Sequence, residues 1–132
     1  MKPLNFIHPS IIIAKSKGKG KGVFTNGAIQ EGLIIEVAPV IVLSPAEREH
    51  VEKTLLHDYI FEWSEDKKSC IIALGYVSVY NHSYTANCEY LMDYKKELIW
   101  VKTVRPVEKG EELFINYNGE WNNGKKVWFK TK

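Results

Sequence analysis

No apolar pattern in this chain lasts long enough to make anything but short strands. Runs rich in β-branched residues occupy positions 11–15, 22–24, 33–44, 70–75, 97–104 and 112–117. Such residues suit a pleated, half-buried surface, and turn-forming or polar residues punctuate the runs. Pro39 is expected to divide the longest run into LIIEV and VIVLS, because proline cannot donate to a ladder. One segment reads differently. In SPAEREHVEKTLLHDYIF, Ser44 can cap a helix, Pro45 suits its first position and Glu47 completes a capping box. Val51, Leu55 and Tyr59 then recur at helical spacing as one apolar stripe. The expectation is a mostly β domain with one inserted helix.

Two stretches echo each other. AIQEGLII (28–35) and PVEKGEELFI (106–115) both run from an apolar residue through polar ones to glycine and a new strand. Gly32 and Gly110 supply the positive φ that such turns need. Two ordinary hairpins and a duplicated β unit explain this equally well.

At 132 residues the chain makes one domain, 1–132, with a real core. A net charge of +2 is too small to argue for general nucleic-acid binding, and the clustered lysines at 15–21 and 125–132 read as solvated termini. Cys70 and Cys88 fit isolated buried thiols in a reducing compartment and are too few for a cysteine-based zinc cluster, so no metal site is expected. No apolar run approaches spanning length and no charged-then-apolar signal opens the chain, so an intracellular protein is expected.

The segment KGKGKGVF (17–24) fails both nucleotide-loop patterns. Lys19 and Lys21 are followed by glycine rather than Ser or Thr, and Thr25 stands where a dinucleotide fingerprint needs its third glycine. What remains is a bare backbone that a ligand can approach closely. In VYNHSYTANCEYL (79–91), Asn81, His82 and Asn87 are short polar groups set among aromatics. Asn87 is suited to tie a loop by side-chain-to-backbone bonds.

The order Gly20-Lys21-Gly22-Val23-Phe24, then Asn81-His82-Ser83, then Glu111-Glu112-Leu113-Phe114-Ile115-Asn116-Tyr117 resembles the SET-domain family of protein lysine methyltransferases, in particular its minimal viral or bacterial members. The resemblance spans about 11–121, leaving 122–132 as a tail. It implies a β-clip of short curled hairpins with an inserted helix and a C-terminal pseudoknot. The implied activity is methyl transfer from S-adenosylmethionine to a lysine side chain of a protein, such as a histone or histone-like protein.

By the same resemblance, the backbone of Lys19, Gly20, Lys21 and Gly22 would face the methionine part of the cofactor. Asn81 would hold its amino-acid end, and the His82 backbone would read the adenine. Tyr117 would be the catalytic tyrosine, with Tyr59, Tyr80 and Ile115 toward the substrate lysine. In place of the cysteine-rich zinc segment of many members stands NGEWNNGKKVWFKTK, whose Trp121 would cover the adenine.

Three departures from the family pattern stand out. Ala86 replaces a common proline, Asn116 a common aspartate, and Ile115 an aromatic whose absence leans toward multiple methylation. The acidic residues Glu47, Glu49, Glu52, Glu62, Glu65 and Asp66 around the insert favour a Lys/Arg-rich substrate peptide. The implied partners are a protein carrying the target lysine and, to cover exposed apolar surface, a second copy of the chain. Membrane and direct nucleic-acid partners are not expected. The place of action would be the cytoplasm in a bacterium, or chromatin in a eukaryote or virus. A catalytically idle SET-like module that binds a peptide is the alternative, and a basic β-rich nucleic-acid binder a more remote one.

Overall fold

The structure, a computed structural model, describes residues 1–18, 20–63 and 67–117. In chain order its strands are β1 (Phe6–Ile7), β2 (Ile11–Ser16), β3 (Gly20–Thr25), β4 (Ile34–Leu43), β5 (Ile60–Trp63), β6 (Ser69–Ala73), β7 (Asn81–His82), β8 (Cys88–Asp93), β9 (Leu98–Thr103) and β10 (Glu112–Ile115). One α-helix, α1 (Pro45–Val51), lies between β4 and β5.

The strands form two sheets. The larger runs β5-β6-β4-β9-β8, with β1 added beside β4, and the smaller runs β2-β3-β10-β7. The other described pairs are antiparallel, but β10 pairs with β7 in parallel, setting Phe114 opposite Asn81 and Ile115 opposite His82. The antiparallel β3–β10 pair joins the two motif segments that sequence separates most, and this parallel pair brings in the third. One apolar cluster draws on both sheets, with Ile35, Ile71, Ile99 and Val101 from the larger and Val23 and Leu113 from the smaller. The mostly β architecture expected from the short runs is what forms.

Pro39 does not divide its strand: β4 is continuous for 10 residues. Up to Pro39 the strand pairs with β9, and from Val40 onward it pairs with β6. The proline sits where the strand changes partners, so its missing N–H interrupts neither ladder's interior.

The helix is shorter than its pattern. Its start is as expected: the Ser44 hydroxyl accepts the Glu47 amide at 3.2 Å and Glu47 accepts the Ser44 amide at 2.9 Å. It ends at Val51 and buries no residue. Thr54 then turns its hydroxyl to the Leu56 amide and caps a separate 3-10 turn, Leu55–Tyr59. Ile60 and Phe61 continue into β5 against β6. The expected stripe of Val51, Leu55 and Tyr59 therefore does not exist as a helix face, and Leu55 is 80% exposed. Strand pairing in the core overrides a helical pattern that had nothing to pack against.

Candidate active site

Asn81 is buried at the start of the two-residue strand β7. Its Nδ2 donates to the Lys21 carbonyl at 3.1 Å and to Glu112 Oε2 at 2.8 Å. Both partners are pure acceptors, so the amide can be oriented only one way. Its Oδ1 is thereby left buried with no hydrogen-bond partner. The Glu112 Oε1 accepts the Ser16 hydroxyl at 2.7 Å, so one carboxylate ties β2, β7 and β10 together. Gly22 is bare for this reason. A Cβ there would lie 2.5 Å from Glu112 Oε2 and 3.0 Å from Asn81 Nδ2. The close approach to Gly22 is thus made by the protein's own Glu112 and Asn81. An open recess of about 400 Å³ lies beside Gly20 and Lys21, walled also by Ile13, Ala14 and Lys15.

Tyr117 lies two residues past the end of β10, and its backbone amide donates to His82 Nδ1 at 3.0 Å. That bond places the neutral ring's proton on Nε2. The Tyr117 hydroxyl donates to the Tyr80 carbonyl at 2.7 Å, and its carbonyl accepts the Tyr90 hydroxyl at 3.0 Å. Three rings close around it. His82 lies 5.0 Å away between centroids, Phe61 packs edge-on at 6.4 Å, and Phe61 in turn meets Tyr90 at 5.1 Å. Burial, with Tyr59 and Asp58 adding, holds the Tyr117 hydroxyl well above the usual phenol range. It is therefore a neutral phenol whose proton goes to the Tyr80 carbonyl.

Gly20, Lys21, Gly22, Asn81, His82 and Ile115 thus stand on the three neighbouring strands β3, β10 and β7, with Tyr80 just before β7 and Tyr117 just beyond β10. Tyr59 arrives from the 3-10 turn and bears electrostatically on Tyr117. Tyr80 and Ile115 have no exposed surface: Tyr80 reaches Tyr117 through its carbonyl, and Ile115 lies in the core cluster. Lys19 and Trp121, and with Trp121 the segment expected to complete a pseudoknot, lie outside the described residues. Asn87 bridges to β10 on both sides, donating to the Glu112 carbonyl at 2.9 Å and accepting the Phe114 amide at 2.8 Å.

The sequence reading missed Glu112, Phe61 and Tyr90. Glu112 stands in a quoted motif, and its even spacing from Phe114 on one strand was the available signal. No described group of His, Cys, Asp and Glu could hold a metal ion. Both thiols are buried, Cys88 being pushed up to about 12 and Cys70 also raised, so neither offers a thiolate at neutral pH.

The protein-family model described as "SET domain" matches residues 20–118. The histone-lysine N-methyltransferase of Schizosaccharomyces pombe specific for H3 lysine 37 is 34% identical over 127 residues, covering 96% of this chain and 81% of that protein. Among solved structures, a Plasmodium falciparum candidate histone methyltransferase is 30% identical with a TM-score of 0.65, over 87% of this chain and 98% of that one. The Polycomb Repressive Complex 2 of Chaetomium thermophilum, bound to S-adenosylmethionine, shares the fold at 22% identity and a TM-score of 0.69, over 83% of this chain and 15% of that one. With Gly20-Lys21-Gly22, Asn81-His82 and Tyr117 gathered on one small sheet, and with matches of this extent, the chain belongs to the SET-domain family of protein lysine methyltransferases.

Proposed function

We propose that this chain binds S-adenosylmethionine at Asn81 and transfers its methyl group to a lysine of a histone, through a site closed by Tyr117. The observation that carries the reading is the buried, unpartnered Oδ1 of Asn81. A buried acceptor without a donor costs roughly 1–3 kcal/mol. The network around it leaves no freedom to turn the amide, so the partner it fits is a donor such as the cofactor's ammonium. The residues present therefore suit the cofactor. The same reading gives the backbone of Lys19, Gly20, Lys21 and Gly22 the methionine part, the His82 backbone the adenine edge, and Trp121 its cover.

The cofactor supplies an electrophilic methyl carbon on a sulfonium. The attacking lysine must first be neutral, although its ordinary pKa is near ~10.4. Phe61, Tyr90 and Tyr117 make the walls apolar and aromatic, which disfavours an ammonium. Tyr59 and the Tyr80 carbonyl stand at the same place. The Tyr117 oxygen, with its own proton given to Tyr80, accepts from the amine and from the polarised methyl C–H bonds. Its main contribution is alignment of nitrogen with the methyl carbon, a type of effect worth up to roughly 7–11 kcal/mol. In that transfer the N–C bond would form as the S–C bond breaks, and the nitrogen's surplus proton would leave to water.

The relative that acts on H3 lysine 37 makes a histone H3 tail the first substrate to try, which would place the enzyme with chromatin in the nucleus. The exposed or half-exposed acidic residues Glu47, Glu49, Glu52 and Glu62 on and after α1 favour a basic peptide. An idle peptide-binding module would have no chemical need for the committed Tyr117 hydroxyl. Calorimetric titration with S-adenosylmethionine, beside Asn81→Ala, tests the cofactor. Saturable binding that Asn81→Ala abolishes supports the reading, and a folded wild-type protein that takes up none sinks it. Methylation of an H3 peptide that Tyr117→Phe abolishes then tests the chemistry.

A further inference from the structure

Glu36, inside β4, is a carboxyl group with 0% exposure in an apolar surrounding. Its neighbours across the sheet are Ile7 of β1 and Val101 of β9. Its Oε2 accepts the Tyr76 amide at 2.6 Å, while Oε1 is buried with no hydrogen-bond partner. The titratable group facing it is the phenol of Tyr80, also wholly buried, whose hydroxyl approaches the carboxyl without closing a hydrogen bond onto it. Cys88 is the other titratable group that bears on Tyr80. No lysine, arginine or histidine among the described residues acts on Glu36.

Tyr76 and Tyr80 are the two ends of one tight 3-10 turn, Val77–Val79. The turn is closed by the Val79 amide on the Tyr76 carbonyl at 2.8 Å and held by the Ser78 hydroxyl on the Ala73 carbonyl at 3.1 Å. The buried carboxyl therefore faces both ends of the turn. Gly75, at φ +64°, keeps the approach open, because a Cβ there would collide with Glu36 Oε2. The far end of the turn is functional. The Tyr80 carbonyl receives the Tyr117 hydroxyl, and the next residue is Asn81.

We propose that Glu36 is a positioning residue for Tyr117: by holding the Tyr80 phenol it fixes the carbonyl on which the Tyr117 hydroxyl rests. The proposal rests on the reading of Tyr117 as the catalytic tyrosine. Two donors face the carboxyl, the Tyr76 N–H and the Tyr80 O–H, and the ionised form offers both of them the stronger, charge-assisted acceptor. The protonated form meets the phenol with neutral groups only and so holds that end of the turn less tightly. Burial raises the Glu36 acid to about 7, against the lowering effect of the bond from Tyr76 and of the nearby Tyr80 hydroxyl, so both forms occur around neutral pH. The tighter arrangement is the one above that point.

The test is a pH titration of ligand-free protein carrying ¹³Cζ-labelled tyrosine, with resonances assigned through Tyr80→Phe and Tyr117→Phe. The Tyr80 and Tyr117 signals are expected to shift with one common midpoint near neutrality. Glu36→Gln keeps an acceptor for Tyr76 but cannot ionise, so both steps vanish. With an H3 peptide, the ratio of wild-type to Glu36→Gln kcat is expected to rise through the same midpoint by about fivefold, with KM and cofactor affinity unchanged. The substrate lysine's own titration is common to both proteins and cancels in the ratio. A Tyr117 signal that stays flat while Tyr80 titrates overturns the proposal, as does a step that survives in Glu36→Gln. Should Glu36→Gln not fold, Tyr80→Phe decides: the Tyr117 step must disappear with the phenol. If the wild type binds no S-adenosylmethionine, the active-site reading falls while the tyrosine titration stands, so the two fail separately.

Discussion

Ile29 and Val107 exchange both of their backbone hydrogen bonds, each at 2.8 Å, as an isolated antiparallel bridge. The pairing is one step of a two-fold correspondence between the echoed segments. The Gly32 amide donates to the Thr103 carbonyl at 2.9 Å, and the Gly110 amide donates to the Thr25 carbonyl at 2.8 Å. The Thr103 amide donates to the Leu33 carbonyl at 3.0 Å, and the Thr25 amide to the Glu111 carbonyl at 3.1 Å. Each threonine precedes its own bridge residue by the same spacing, and both are buried. The echo in sequence is therefore a pair of turns that close on each other's strands.

Gly32 and Gly110 have φ of +78° and +92°, and no atom lies within 4 Å of where a Cβ would stand on either. Substitution by alanine meets backbone strain without a clash. Gly32→Ala and Gly110→Ala are each expected to lower stability by about 1–2 kcal/mol. Urea unfolding that finds one of them neutral would show the two turns are not equivalent.

Glu112 is expected to control cofactor affinity without touching the cofactor. Glu112→Ala leaves the Asn81 Nδ2 and the Ser16 hydroxyl without their carboxylate and frees the Asn81 amide to turn. A loss of about tenfold or more in S-adenosylmethionine affinity follows if orientation of Asn81 matters, since one buried polar contact is worth about 1–3 kcal/mol. Glu112→Gln should be mild. Its carbonyl can face Asn81 and its amide can donate to the Ser16 hydroxyl, which rotates to accept. Calorimetry that ranks the two variants equally would remove the orienting role.

What was legible in sequence was what short range dictates. The strand runs, the capping box of Ser44 and Glu47 and the glycine turns are local choices, and they form. Asn81 and Tyr117 were legible because their segments carry quotable motifs. Glu36 was not, since nothing in LIIEV announces that the turn after Gly75, forty residues on, sets the Tyr76 amide on its carboxyl. Phe61 was hidden by the helical pattern that preceded it, and β5 exists only because β6 pairs with it. Partner exchange at Pro39 is likewise a tertiary fact that no local pattern announces.

Tyr117→Phe separates chemistry from folding. It removes the hydroxyl that donates to the Tyr80 carbonyl. Stability should fall by only about 1 kcal/mol. Cofactor affinity should hold, because Asn81 and its partners are untouched, while kcat falls on the order of 100-fold or more. A single-turnover assay with H3 peptide and a parallel binding titration check both halves. Equal losses in binding and turnover would mean that the hydroxyl shapes the pocket rather than the reaction.

Glu36 also makes a signed statement about stability. Its acid is raised from 4.5 to about 7 in the folded protein, so the folded state holds that proton more tightly than the unfolded chain. Its contribution is most favourable below the unfolded value and is lost as pH rises through about 7. Above that, the buried carboxylate costs on the order of 3 kcal/mol relative to a group that cannot ionise. Glu36→Gln is therefore expected to unfold like the wild type below about pH 4.5, to become progressively the more stable protein between 4.5 and 7, and to keep a constant gap beyond. Chemical denaturation of both proteins across that range measures it. A gap that stays constant, or that widens toward acid, would mean that Glu36 is ionised throughout and that its partners hold the charge better than its burial implies.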